Sequence, residues 1–428
     1  MKLAVVVQRF GADINGGAEL HARYVAEHLA RHAEVEVFTT CARDYVTWAN
    51  ELPAGTETVG PMTVRRFPVS APRDVRDFAR RSDLVFRRTH SVKDELDWLD
   101  SEGPTSPALI QALVAEASRF DWVVIFSYRY HHAFHAARAV ASKAVLVPTA
   151  ERDAAIGISI FGPVFGGVRA LMFNSFEERA MLQAAAGRDL PGIVVGIGSD
   201  VPARPDPDRF RQKYGITAPF AIYVGRIDEN KGCKELFEYF RRFERTMPGT
   251  LQLVLIGKSI LPIPQDPRIH HLGFVDDQDK FDAMAAADVL IMPSYYESLS
   301  MVALEAWALG RPVLANGRCD VLKGQCLRSN AGLFYENFGE FAETLYAITS
   351  GRGLSETLGR NGRAYFKRHY DWPVIERKYL ETFDRLAREP RDQQPVLEPL
   401  PGFFARRRRA LPAAEDMLAR IPSGAVRP

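Results

Sequence analysis

The sequence predicts an α/β protein of two domains, each a mainly parallel sheet with helices on both faces. Three observations predict this class. The chain has 428 residues, more than one hydrophobic core usually supports. Short continuous apolar runs alternate with amphipathic segments of helical period along most of its length, the pattern of strands buried on both faces. About midway, residues 198–214 carry Pro202, Pro205 and Pro207 and interrupt both periods, which marks a boundary.

The first half is read as strands at 2–8, 34–39, 63–67, 122–127, 144–147, 170–174 and 192–195, with helices notably at 18–31, 108–118 and 175–186. The second half repeats the scheme with strands at 220–224, 252–256, 269–272, 289–292 and 313–315. A last helical stretch, 372–388, precedes a proline- and arginine-rich tail. Ligands of parallel sheets bind beyond the C-terminal strand ends, so two such sheets facing each other could grip one ligand from both sides.

Composition narrows the function. Hydrophobic residues make up 46% and charged residues 25%, and the 55 basic and 53 acidic side chains leave a formal charge of +2. That balance offers no general attraction to nucleic acid. Cys41, Cys233, Cys319 and Cys326 are scattered, a pattern that suggests neither a zinc site nor a disulfide framework. The apolar run Leu3 to Val7 is too short for a signal-peptide core, and no stretch nears the roughly 20 apolar residues of a membrane span. A cytoplasmic protein is expected.

The strongest motif follows the strand ending at Met292: Tyr296-Glu297-Ser298-Leu299-Ser300-Met301-Val302-Ala303-Leu304-Glu305-Ala306. If Ser298 to Ser300 form the first helical turn, their unpaired N–H groups and the helix dipole suit an anion such as a diphosphate. Glu305 would then lie about 12 Å from Glu297 along the axis, within reach of a second group of hydroxyls. Two solvated surface glutamates would be the ordinary reading. Against it, Glu305 stands in the otherwise apolar Val302 to Leu309, where a lone carboxylate is costly. A second segment, Tyr223-Val224-Gly225-Arg226-Ile227-Asp228-Glu229-Asn230-Lys231-Gly232, ends a strand on a glycine and brackets its loop with two cations suited to phosphate oxygens. Alone it would read as a solvated turn.

Together and in this order, the two motifs resemble the nucleotide-binding half of retaining GT-B glycosyltransferases of the large family 4, the glycosyl transferases group 1. That family carries E-x7-E, here Glu297 and Glu305, and G-R-x4-K-G, here Gly225 to Gly232. It also has a turn like His271 to Val275, where groups near Val275 would meet the nucleobase. Gly16-Gly17 opening the first helix is similar to the family's glycine loop beside the donor phosphates, although Gly-Gly before a helix is a weak signal by itself.

The resemblance, which runs from Met1 to about Arg388, implies a GT-B fold of two Rossmann-like domains facing across a cleft. Residues 1–197 would be the acceptor side and 198–371 the nucleotide-sugar side, with 372–389 crossing back to the first domain and 390–428 as tail. It implies transfer of a sugar from a nucleotide-sugar to a hydroxyl of a carbohydrate or glycolipid. The donor is a substrate, so no cofactor is called for, and two placed cations make a metal unnecessary. Glu297, Arg226, Lys231 and Glu151 are the candidate catalytic residues. Gly16, Gly17, Gly225, Val275, Ser298, Leu299, Ser300 and Glu305 are the candidate donor-binding residues.

One departure is Glu151, which stands where many relatives have a histidine. It is a candidate to orient the acceptor or to stabilise oxocarbenium-like charge, with a salt-bridged or capping glutamate as the plain alternative. His131, His132 and His135 read better as helix-start residues than as cleft residues. Asp277-Gln278-Asp279 matches the D-x-D of metal-dependent transferases, but N-capping explains it better. Phe403-Phe404 followed by Arg406 to Arg409 suits either anionic lipid headgroups or solvent. A nucleotide-sugar epimerase or a non-catalytic sugar-nucleotide-binding protein on the same fold remains a rival reading.

Overall fold

The computed structural model describes residues 1–14, 16–247, 249, 251–401 and 418–420. An eight-stranded sheet contains β1 (Lys2–Val6), β2 (Glu34–Thr40), β3 (Gly55–Val59), β4 (Met62–Phe67), β5 (Trp122–Phe126), β6 (Ala144–Val147), β7 (Ala170–Phe173) and β8 (Gly192–Val194). Their order is β3-β4-β2-β1-β5-β6-β7-β8, all parallel except β3 against β4. A six-stranded parallel sheet contains β9 (Phe220–Val224), β10 (Gln252–Ile256), β11 (Ile269–Gly273), β12 (Val289–Met292), β13 (Val313–Asn316) and β14 (Gly332–Tyr335), in the order β11-β10-β9-β12-β13-β14.

The central strands are buried along their whole length: Trp122 to Phe126, Ala144 to Val147, Ala170 to Phe173, Phe220 to Val224 and Val289 to Met292. Their Val, Ile and Leu side chains face helices on both sides, so the runs are continuous and not alternating. Strand order reverses between β1 and β5 in one sheet and between β9 and β12 in the other. A crevice opens beyond the strand ends at each such reversal.

The sequence reading missed β3 and β14. β3 is a polar, mostly exposed edge of sequence Gly-Thr-Glu-Thr-Val, with too little apolar character to register as a strand. β14 is a four-residue strand opening on Gly332. In the proline-rich break, Pro207 starts the helix Pro207–Tyr214 instead of excluding one, with Asp206 accepting from the Arg209 N–H at 3.0 Å. A proline at the first helical position loses no hydrogen bond.

After the second sheet the chain returns along the helix Trp372–Arg388. Phe383 stacks on Trp122 at 6.2 Å, and the Arg169 guanidinium donates to the Leu386 carbonyl and to Glu389, both at 2.7 Å. Trp372 stacks on His28 at 3.6 Å. Arg152–Asp320 (2.6 Å) and Glu177–Arg328 (2.5 Å) add ion pairs between the two domains. No helix among the described residues is long and apolar enough to cross a membrane. The Phe403 to Arg409 stretch lies outside the described residues.

Candidate active site

The C-terminal ends of β1, β5, β6 and β7 face those of β9 and β12 across a cavity of about 630 Å³, within the usual size range of small-molecule sites. On the second-domain wall, Gly225 at φ +148° ends β9, and the Tyr223 hydroxyl donates to the Arg226 carbonyl at 2.7 Å. Asp228 steadies the loop by pairing with Arg226 and accepting the Lys231 N–H at 2.7 Å. Gly232 closes it at φ +71°, where a side chain would collide with the Pro293 carbonyl oxygen. This close approach of the β9 loop to the end of β12 brings Lys231 Nζ to 2.7 Å from Glu297 Oε1. Burial opposes the Lys231 charge, but Glu297 and Glu151 outweigh it and raise its pKa.

Ser298 to Ser300 do not form a helical turn. The helix is Met301–Ala308, and Ser300 caps it at φ +77°, accepting from the Ala303 N–H at 3.3 Å. A left-handed residue cannot continue a right-handed helix, whereas a serine hydroxyl suits the cap. Ser298, Leu299, Ser300, Met301 and Val302 all line the cavity. The first-turn N–H groups without helical partners therefore lie at its wall.

On the first-domain wall, Gly16 caps the helix Gly17–Leu29. A side chain at Gly16 would collide with the Glu19 carboxylate, which is itself held by Arg9 at 2.7 Å. Glu151 follows β6. Burial pushes its carboxyl up to about 7, while Lys231 pulls it down and Glu297 pushes it up by smaller amounts. Its loop is tied to the end of β7 by the buried Glu178, which accepts the backbone N–H groups of Ala150 and Asn174. Asn174 in turn reaches across the cleft to Ser298 Oγ at 3.4 Å. Ser127 and Thr149, at the ends of β5 and β6, have φ of +67° and +48°. With Ser300 they make three cavity-lining residues other than glycine in the left-handed region, a concentration of strain typical of functional sites.

Residues 206–365 match the family described as glycosyl transferases group 1. The match covers most of the part of the chain that carries the six-stranded sheet. Similar curated proteins include glycogen synthase of Mycobacterium tuberculosis, 25% identical over 194 residues, or 41% of this chain and 46% of that protein. D-inositol 3-phosphate glycosyltransferase of Kribbella flavida is 30% identical over 215 residues, or 44% of this chain and 50% of that protein. The chain spans about half the length of the curated relatives it matches. Among solved structures, HepE of Anabaena in complex with UDP-glucose superposes with a TM-score of 0.65 at 18% identity, covering 90% of this chain and 100% of that one. This likeness extends over both domains, and the fold is GT-B, two Rossmann-like domains with parallel sheets facing across a cleft.

Within the matched region, Gly225, Arg226, Lys231, Glu297, Ser298, Leu299 and Ser300 meet at the cavity, and Gly16, Gly17 and Glu151 face them from the other sheet. Two expected donor residues do not line it. Glu305 is 4% exposed and takes Lys280 Nζ at 3.1 Å and Ser199 Oγ at 3.2 Å on Oε1, while its buried Oε2 has no partner. The helix begins at Met301, three residues later than expected, and Glu305 lies on its buried face. Val275 is half-buried against the apolar core beside exposed Phe274.

The other motifs resolve as local structure. Asp276 caps the helix Asp277–Ala286, accepting from Asp279, whose carboxylate pairs with Lys213 at 2.5 Å. His131 opens the helix His131–Ala139, and His132 bonds the Phe126 carbonyl at 3.1 Å. Neither these two nor His135 lines the cavity. His21 does, and the sequence reading missed it. Burial pushes its imidazole down to about 3, and its Nε2 has no partner. Its place on the first turns after Gly16-Gly17 was the available signal. Arg9, Tyr45, Arg129 and Asn174 also line the cavity unforeseen, because loops distant in sequence bring them there.

Proposed function

We propose that the protein is a retaining, metal-independent glycosyltransferase of family 4, which moves a sugar from a nucleotide-sugar to a hydroxyl of a carbohydrate or glycolipid. One observation carries this reading: Arg226, Lys231, Glu297 and the N-terminus of the helix Met301–Ala308 converge from one domain on a cavity whose far wall holds Gly16, Gly17 and Glu151. The UDP-glucose complex of HepE supports a nucleotide-sugar donor. One relative is named for a polysaccharide and another for a phosphorylated inositol, so they leave the acceptor open. A peripheral membrane contact by the basic tail belongs to the same proposal.

In this reading Arg226 and Lys231 offset the diphosphate charge with N–H groups of Met301 and Val302, a metal-free equivalent of a cation clamp. Glu297, already oriented by Lys231, accepts sugar hydroxyls. Glu305, buried behind the cavity wall and held by Lys280 and Ser199, steadies the helix that presents those N–H groups. The acceptor oxygen attacks on the face the diphosphate leaves, and the departing phosphate oxygen takes its proton. Glu151 stabilises the positive charge developing at the sugar. Nucleoside diphosphate should be released only when donor and acceptor are both present, with the product anomer matching the donor by NMR. Inversion at the anomeric carbon, or epimerised donor without transfer, sinks the proposal.

A further inference from the structure

We propose, resting on the transferase reading above, that the acceptor side of the cleft selects an uncharged, hydroxyl-bearing saccharide and rejects phosphorylated acceptors. On the first-domain wall the arginines are Arg9 and Arg129, and each is already paired with two acceptors. Arg9 donates through Nε and Nη2 to Glu19 at 2.8 and 2.7 Å and through Nη1 to the Arg43 carbonyl at 2.8 Å. Arg129 donates through Nε to Glu102 at 2.8 Å and through Nη1 to Asp153 at 2.5 Å. Glu19 is 5% exposed and Glu102 2%. These carboxylates are therefore held in place and cannot swing away to release an arginine.

No net positive charge is left over. Among the described residues of this wall, Glu19 and Asp153 balance the two arginines, Glu151 adds a carboxylate as it ionises, and His21 is kept neutral by burial. An acceptor phosphate would meet carboxylates that already hold the arginines, a juxtaposition of like charges that disfavours the wrong partner strongly. A sugar hydroxyl suits the same wall, because carboxylate oxygens accept and arginine N–H groups donate without any net charge to satisfy.

The wall also offers a ring. Tyr45 is 44% exposed, sits edge-on to Trp48 at 5.4 Å, and lies 5.6 Å from the Arg9 guanidinium. A half-exposed aromatic ring held by its neighbours is a platform for the C–H face of a pyranose. Glu102, the last residue of the helix Val92–Glu102, enters from the helical segment between β4 and β5. That segment thus supplies the counter-charge on Arg129 and, through a 2.9 Å pair, on Arg73.

The test compares glucose, maltose and methyl glucoside with glucose 6-phosphate and maltose 6′-phosphate as acceptors, reading kcat/KM from nucleoside diphosphate release above donor hydrolysis. Neutral sugars should exceed their phosphate esters by at least about tenfold. Glu102→Gln, which weakens the hold on Arg129, should narrow that ratio. Preference for the phosphate esters, or a ratio unmoved by Glu102→Gln, overturns the proposal. Failure of the transferase reading shows separately, as no donor-induced thermal shift and no diphosphate release with any acceptor, and it would remove this proposal too.

Discussion

At the scale of single residues, the Lys231–Glu297 pair concentrates the chemistry. Its side chains are 28% and 12% exposed, so neither charge is fully hydrated and each depends on the other. On the proposed function, Lys231→Ala removes a diphosphate contact and leaves Glu297 without its partner. It should lower kcat/KM by about 10- to 100-fold, the equivalent of roughly 1.5–3 kcal/mol for a charge-assisted contact. Arg226→Ala should cost less, because that guanidinium is 56% exposed. Steady-state kinetics and donor titration check both, and wild-type values in both variants would remove the pair from the site. Glu151 makes a prediction about pH. Its carboxyl is raised to about 7 by burial, so kcat/KM should climb through about pH 7 as the stabilising anion forms. Glu151→Gln should flatten that limb. The sign for stability is opposite. A raised carboxyl costs the folded state nothing while protonated, and its ionisation weakens the fold as pH rises from the ordinary carboxylate range to about 7. The glutamine variant should match wild type in stability below about pH 4 and exceed it near pH 8, by an amount on the order of 3 kcal/mol. Denaturant titrations at both pH values measure it.

At the scale of elements, the site depends on two helix starts that ordinary helix patterning does not produce. Ser300 holds φ +77° to begin Met301–Ala308, and Gly232 holds φ +71° to begin Cys233–Thr246. At Ser300, glycine can adopt the same angle, so Ser300→Gly should change stability by only a few tenths of a kcal/mol. Ser300→Val should cost about 1–3 kcal/mol, since a β-branched residue is strained there. Equal urea midpoints for the two variants would count against this account. The apolar stretch Val302 to Leu309 announced a helix in the sequence, but its first residue was misplaced by three positions. A positive φ at a serine leaves no trace in hydrophobic periodicity. The same limit hid the Pro207–Tyr214 helix, whose prolines read as breakers, and β3, whose exposed polar edge has no buried face.

At the scale of the whole molecule, the two sheets are held facing each other by a helix that leaves one domain and packs on the other. Trp372 stacks on His28 from the first domain and packs against Gly198 in the crossing segment. Trp372→Ala should lower stability by about 3–5 kcal/mol, as large-to-small changes at buried aromatics do, and should weaken donor binding because the cleft walls lose their common support. Chemical denaturation and donor titration report the two effects independently. Turnover should also persist in excess chelator, since in the proposed reaction Arg226, Lys231 and the helix N-terminus do the work of a cation. Abolition by chelator with recovery on added magnesium or manganese would contradict that.

The sequence by itself determined the two-sheet architecture and the polypeptide positions of Gly225, Arg226, Lys231 and Glu297. Buried parallel strands must be continuous apolar runs, and residues just beyond their C-terminal ends fall at the crevice whatever the surrounding detail. Only the tertiary structure decided the rest. Glu305 turned inward to Lys280 because its helix presents that face to the core. Arg9 after β1, His21 on the helix Gly17–Leu29 and Arg129 after β5 reached the cavity because segments distant in sequence meet there. The pairing of Arg129 with Glu102, 27 residues away, ties up a cation at the first-domain wall of the cavity. Such pairings depend on distances between side chains, and local patterning along one chain contains no measure of them.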